Sequence, residues 1–272
     1  MSMSVLYIVA TPIGNLEDIT IRALRVLKEV DLIAAEDTRV TRKLLRKHDI
    51  HTKTTSYNDH NKTTKLQFIL NVLSEKSVAL VSDAGMPTIN DPGYELVFHA
   101  SQAGFQVTPV PGPSAITSAI AISGMPIDQF VYLGFLPRKH SQRIKTLQAT
   151  TSEKRSLVIF ETPHRIRSSF EDMLATLGNR RISVCRELTK IHEEIFRGTI
   201  SEALNHFHNP RGEFTLIIDG NKKTEDNLSH DEAVSILNQC KQNGILSKDA
   251  ISMVVRKCGI PRKTVYRLWL EI

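Results

Sequence analysis

Three segments of this 272-residue chain gather glycine and proline among small polar residues: "ATPIGN" at 10–15, "SDAGMPTINDPG" at 82–93 and "PVPGPSA" at 109–115. Glycine permits close backbone approach and positive φ, and proline stiffens a loop in advance. Such loops offer N–H and C=O groups to a ligand at small entropic cost. None of them is a G-x-G-x-x-G fingerprint, and the chain has no G-x-x-x-x-G-K-[ST]. Dinucleotide and nucleoside triphosphate sites therefore lose their usual sequence support. Two charged segments have the residue types to move a proton or grip an anion: "AEDTR", with Glu36, Asp37 and Arg39, and "TKIHEE", with Lys190, His192, Glu193 and Glu194. A carboxylate with a burial-raised pKa makes the better base. "AEDTR" also has a plain structural reading, a helix N-terminus capped by Asp37 with acidic groups facing the helix dipole.

The elements that must position these residues are read from periodicity. Apolar runs of strand length at 5–10, 31–35, 78–81 and 106–110 alternate with helical stripes, at Ala23, Leu24, Leu27 and Val30 and again over 38–47 and 62–73. This alternation predicts a parallel, helix-covered α/β sheet. The three Gly/Pro loops all leave carboxyl ends of its strands, where ligands gather in open parallel sheets. A second strand series runs from 130–136 through "SLVIFE", "ISVCREL" and "EFTLIIDG", with helical patterns at 164–177 and 201–208. "SGMPID", at 123–128, marks the change of domain, giving an N-terminal α/β domain at 1–123 and a second at 124–222. The polar interval "GNKKTEDNLSHD" then leads into a small helical, helix-turn-helix-like tail, 223–272. In it a helix at 248–257 is expected to stop at Gly259, and another to start near Pro261, with Arg262, Lys263 and Arg267 opposite Val265, Leu268 and Trp269. A nucleic-acid contact and a merely solvated basic face are both open for that helix.

Composition narrows the class. The chain is 41% hydrophobic and 24% charged, ordinary for a soluble domain, and no apolar run nears the roughly 20 residues of a membrane span. The N-terminus enters a strand pattern without a basic leader, so a cytoplasmic protein is expected. Cys185, Cys240 and Cys258 have neither disulfide-framework nor zinc-site spacing, and no metal is expected. The net charge of +6 suits a polyanion such as RNA. Arg138, Lys139, Arg143, Lys145, Lys154, Arg155, Arg165 and Arg167, opposed only by Glu153 and Glu161, form a candidate electrostatic footprint.

The series "VATPIGNLEDIT", "AAEDTR", "SDAGMPTINDPG", "PGPSA", "GFLPRK", "ETPHR", "RELTKIHEE" and "RGEF" resembles the tetrapyrrole-methylase-fold methyltransferases. It is most similar to the branch that methylates a cytidine ribose 2′-oxygen in small-subunit ribosomal RNA. The resemblance runs from residue 5 to residue 220 and implies a homodimer that holds S-adenosylmethionine between two α/β domains. It implies cofactor contacts from Pro12 and Ile13, from Asp83, Ala84, Gly85 and Met86, and from Ser114 and Ala115 at the methionine end. Phe160, Leu188 and Thr215 are implied to close over the adenine. Ser114 at a helix start also fits physically, since free N–H groups there favour a carboxylate.

Methyl transfer to a ribose hydroxyl needs donor and acceptor aligned near 3 to 3.5 Å, a route for the departing proton, and no metal. Glu36 and Arg39, with Lys190 from the other domain, are the catalytic candidates. His60, Arg138, Lys139, His164 and Arg165 are the candidates for gripping RNA, whose phosphates and unstacked bases suit cations and imidazole planes. The expected partner is small-subunit ribosomal RNA, within an assembled subunit. Two alternatives are a corrin or porphyrinogen C-methyltransferase and a non-catalytic RNA-binding module.

Overall fold

The computed structural model describes residues 4–221, 225–258 and 260–272, without side chains for 225–230. They form two compact units, Met1–Gly220 and Asn221–Ile272.

The first unit opens with a parallel sheet of β1 (Val5–Val9), β2 (Leu32–Ala35), β3 (Thr54–Ser56), β4 (Val78–Val81) and β5 (Gln106–Val110), in the order β3-β2-β4-β1-β5. β2 and β4 are buried along their whole length, as the unbroken runs "LIAA" and "VALV" require. Side chains alternate between two cores. Val9, Ile33, Ala79 and Val81 meet Leu27 of α1 (Ile21–Glu29) and Leu44 of α2 (Thr38–Lys47) on one face. Leu6, Ala34 and Leu80 meet Ile69 and Leu73 of α3 (Lys62–Leu73) and Leu96 of α4 (Tyr94–Gln102) on the other. In this topology β2, β4, β1 and β5 are consecutive neighbours, so the loops that leave their carboxyl ends share one edge.

The same unit contains a second sheet: β6 (Phe130–Phe135), β7 (Ser156–Glu161), β8 (Arg181–Arg186), β9 (Glu194–Thr199) and β10 (Phe214–Ile218), in the order β6-β7-β10-β8-β9. Only β6 and β7 pair in parallel; the other pairings are antiparallel. α6 (His140–Gln148), α7 (Ile166–Leu177) and α8 (Ile200–His206) contribute Leu147, Phe170, Met173 and Ala203 to the core on one face. On the other face α5 (Ala115–Ser123) packs Ala119 and Ile120 against Val158, Cys185 and Ile217. The expected boundary at 123/124 falls where α5 ends at Gly124 in a left-handed conformation, and both sheets lie within one compact unit.

The second unit is α9 (Glu225–Gln242), α10 (Ser247–Cys258) and α11 (Arg262–Glu271) around Leu237, Ile251, Val254, Val265 and Leu268. The expected stop at Gly259 lies outside the described residues. Helix α9 begins inside the stretch that reads as a polar interval, and β3 and β9 have no counterpart among the expected strands.

The mid-chain basic segment is largely structural. Arg143 is buried and donates to Asp172 at 2.6 Å. Arg155 pairs with Glu153 at 2.7 Å, and Arg167 donates to the carbonyls of Leu204 and Phe207. A guanidinium can satisfy several acceptors at once, which suits it to stitch loops and helix ends together. Arg138, Lys139 and Lys145 remain exposed.

Candidate functional site

A cavity of about 290 Å³ opens where the loop edge of the first sheet faces the second sheet. From the first half come Ile13 after β1, Glu36 after β2, Asp83 to Met86 and Ile89 to Asp91 after β4, and Ser114 to Ile116 at the start of α5. From the second half come Phe135, Phe160, Cys185, Leu188, Phe214 and Thr215. Reciprocal bonds of 2.9 Å between the backbones of Thr11 and Gly85 fasten the first loop to the second. Gly85 has φ +79°, a conformation that an L side chain adopts only with strain. The first loop also reaches the turn between β8 and β9, where the Asn15 N–H donates to Thr189 Oγ1 at 2.9 Å. Gly14 makes this approach possible: a Cβ there would lie 2.5 Å from Lys190 Cγ and 2.8 Å from Thr189 Oγ1.

The cavity has a polar end and an apolar wall. Ser114 makes no side-chain cap bond at the N-terminus of α5, so the helix's leading N–H groups and positive end face the space beside Ser114, Ala115 and Ile116. That end suits a carboxylate. Phe135 and Phe160, 5.6 Å apart between ring centroids, join Ile13, Met86 and Leu188 on the wall and suit a planar base. Five carboxylates also line the cavity: Glu161 is paired with Arg165 and Glu213 with Lys190, while Glu36, Asp83 and Asp91 suit a cation. These features fit S-adenosylmethionine, which carries a carboxylate, a sulfonium and an adenine.

Glu36 and Asp83 are shared with a second, more open recess of about 430 Å³ lined by Arg39, Ser56, Asn58, Asp59 and His60 among others. Glu36 Oε2 accepts the Asp83 N–H at 3.2 Å, and Asp83 Oδ1 accepts the Asp37 N–H at 3.0 Å. Burial raises the Glu36 pKa, partly opposed by the bond from the Asp83 N–H and reinforced by the charges of Asp83, Asp59 and Asp37. Burial, then the charge of Glu36, pushes Asp91 up to about 6. Burial also raises Asp83, and it lifts the Cys185 thiol to about 11, so that thiol stays protonated.

Of the residues expected at the cofactor, Ile13, Asp83, Ala84, Gly85, Met86, Ser114, Ala115, Phe160, Leu188 and Thr215 line the cavity. Pro12 is buried and does not line it. Glu36 sits between the two spaces. Arg39 reaches only the second, 85% exposed and paired with Asp37 at 2.6 Å; this bond holds Asp37 down at about 2. Lys190 lines neither space. Burial alone would lower its pKa, but bonds of 2.8 Å to Glu187 and Glu213 outweigh that and raise it. His60 lines the second recess. Arg138, Lys139 and His164 are exposed on the second half, outside both spaces. Arg165 is held by Glu161 at 2.9 Å and by the Leu136 carbonyl at 3.1 Å.

Sequence reasoning missed Asp91, Asn90 and Phe135 as lining residues, although each lies in a quoted motif. Phe214 likewise ends the quoted "RGEF", whereas Cys185 comes from a buried strand and offered only its apolar pattern.

The family model for Tetrapyrrole (Corrin/Porphyrin) Methylases matches residues 5–204. The chain is 47% identical to "Ribosomal RNA small subunit methyltransferase I" of Halalkalibacterium halodurans over 97% of this chain and 94% of that one. It is 51% identical to the protein of the same name from Thermotoga maritima, over 80% of this chain and 99% of that one. Among solved structures, uroporphyrin-III-C-methyltransferase from Thermus thermophilus superposes at TM-score 0.56 with 17% identity, over 79% of this chain and 94% of that one. Diphthine synthase superposes at TM-score 0.61 with 13% identity, over 79% of this chain and 89% of that one, which extends the likeness of fold alone. The loops, the cavity they frame and these matches lead to one assignment: the chain belongs to the tetrapyrrole (corrin/porphyrin) methylases.

Proposed function

We propose that this chain methylates the 2′-oxygen of a cytidine ribose in small-subunit ribosomal RNA, using S-adenosylmethionine. In this reading it works as a cytoplasmic homodimer on RNA within an assembled small ribosomal subunit. The observation that carries the proposal is the junction of two spaces at Glu36 and Asp83, one fitted to the donor and the other polar and open. The names of the relatives at 47% and 51% identity support RNA over a macrocycle as acceptor, since the porphyrin enzyme shares only 17%.

When bound in the first cavity, S-adenosylmethionine supplies an electrophilic methyl group. The chain's own residues then divide the remaining tasks. The α5 N-terminus anchors a carboxylate, and the wall of Phe160, Leu188 and Thr215 packs a base and keeps water out. Glu36, with its raised pKa and its place at the junction, takes the proton of the attacking hydroxyl. Arg39 and His60 flank the acceptor in the open recess, where a guanidinium can hold a phosphate. Arg138, Lys139 and His164 grip RNA at the rim, and Arg165, committed to Glu161, keeps that rim in place. Lys190 stays protonated, which suits a positioning cation beside Glu213 and not a base.

The test is incubation with labelled donor and small ribosomal subunits from cells lacking the protein, followed by mass-spectrometric mapping of the product. Label on one cytidine ribose is expected. Absence of transfer to both free RNA and particles would overturn the reading.

A further inference from the structure

The second unit has its own core, and its outer surface is organised. Val265 and Leu268 of α11 are buried, while Arg262, Lys263, Tyr266, Arg267 and Leu270 lie exposed on the opposite face at spacings of three and four. On α10 Asp249, Ser252, Met253, Arg256 and Lys257 line a shallow groove of about 520 Å³, and Arg262 Nη1 donates to Ser252 Oγ at 3.1 Å. The groove and the α11 face are therefore continuous. Among the described residues, Arg256, Lys263 and Arg267 enter no ion pair, and Lys257 meets Glu232 only at 3.5 Å. Asp249, in the first turn of α10, is the one acid on the groove's lining, against Arg256 and Lys257, and Glu271 stands at the end of α11. Cations interleaved with an exposed tyrosine, at 54% exposure, and with Met253 and Leu270 match a polyphosphate carrying stackable bases. A second observation concerns lengths. The Thermotoga maritima relative is matched over 99% of its length in an alignment of 221 residues that covers 80% of this chain, an extent that Met1–Gly220 would account for. A protein of that name thus does without about a fifth of this chain, which points away from a role for the second unit in the chemistry.

We propose that the continuous α10–α11 face, centred on Arg262, Lys263, Tyr266 and Arg267, is an auxiliary RNA-docking surface that adds affinity for the substrate and leaves the chemical step unchanged. The inference rests on the reading of RNA as substrate. The cations would neutralise backbone phosphates, and Tyr266 would stack on an unpaired base.

The experiment compares the full chain with its R262E/K263E/R267E variant, and separately with Tyr266→Ala. Fluorescence anisotropy measures binding to naked small-subunit RNA across a salt series, and steady-state methyl transfer to small subunits gives kcat and KM. Trp269, the only tryptophan, packs into the core of this unit and reports that the variants stay folded. The triple variant is expected to bind RNA on the order of tenfold more weakly, with a salt dependence shallower by about two and kcat retained. Tyr266→Ala should weaken binding without changing the salt slope. Unchanged RNA affinity and slope would overturn the proposal. So would a loss seen with particles but not with naked RNA, which would assign the face to a ribosomal protein. If the parent binds RNA yet transfers no methyl, the proposed reaction fails while the binding comparison still decides the docking face.

Discussion

At Glu36, burial and three neighbouring carboxylates compete with one backbone N–H for control of a single proton, and burial prevails. A base is active when deprotonated, so kcat should climb with pH through the raised pKa of Glu36 and level off above it. Glu36→Gln should lose on the order of a hundredfold to ten-thousandfold in kcat and lose that pH limb, while calorimetry finds the affinity for S-adenosylhomocysteine little changed. Asp91 makes the complementary case for stability. The folded chain holds its proton more tightly than the unfolded chain, so the stabilisation is present in acid, is lost as pH rises from about 3.8 to about 6, and stays lost above. Asp91→Asn should therefore be more stable than the parent at neutral pH, by about 1 kcal/mol once solvent screening is allowed for. Urea titrations at pH 4 and pH 7 check this, with the gain expected only at pH 7.

Elements decide whether these residues meet. The Thr11–Gly85 bridge and the Asn15–Thr189 bond bind three loops into one rim, and Gly14 is the position with no room to spare. Gly14→Ala should push the first loop off the β8–β9 turn and cost on the order of a hundredfold in kcat/KM, as a displacement near 1 Å does at a reacting centre. Its thermal midpoint should fall as well, because Thr11, Pro12 and Ile13 of the same loop are buried behind the exposed Gly14 and Asn15. The rim loops were legible in the sequence because Gly and Pro announce special backbone geometry, and β2 and β4 because short unbroken apolar runs between helical stripes fit a buried parallel strand. β3 was not, since "TTS" is three half-buried polar residues held by pairing to β2. β9, "EIFRGT", is an edge strand joined to β8 by a turn without a helix, so the helix-strand alternation that revealed the others is absent there. Helix α9 begins in a stretch with no apolar stripe, where periodicity carries no signal. At the site, side chains drawn from loops could be named from their motifs. The burial that raises the Glu36 pKa and the ion pair that ties Lys190 to Glu213 are properties of the fold and not of any spacing.

On the scale of the whole molecule, the two units are separate folding problems with a built-in reporter. Trp269 sits in the core of the second unit, and the first contains no tryptophan. Urea unfolding followed by Trp269 emission should give a midpoint different from that followed by far-ultraviolet circular dichroism, which the larger unit dominates. Coincident curves would mean that the units unfold as one. Within the first unit, the ligand cavity takes its walls from both sheets. A molecule seated there acts as a rivet through two plates: neither sheet can come apart without first giving it up. Its affinity is then added to the cohesion of both at once, about 2.7 kcal/mol at a hundredfold excess over Kd. Amide exchange should slow together in β4 and β10, strands that share no hydrogen bond.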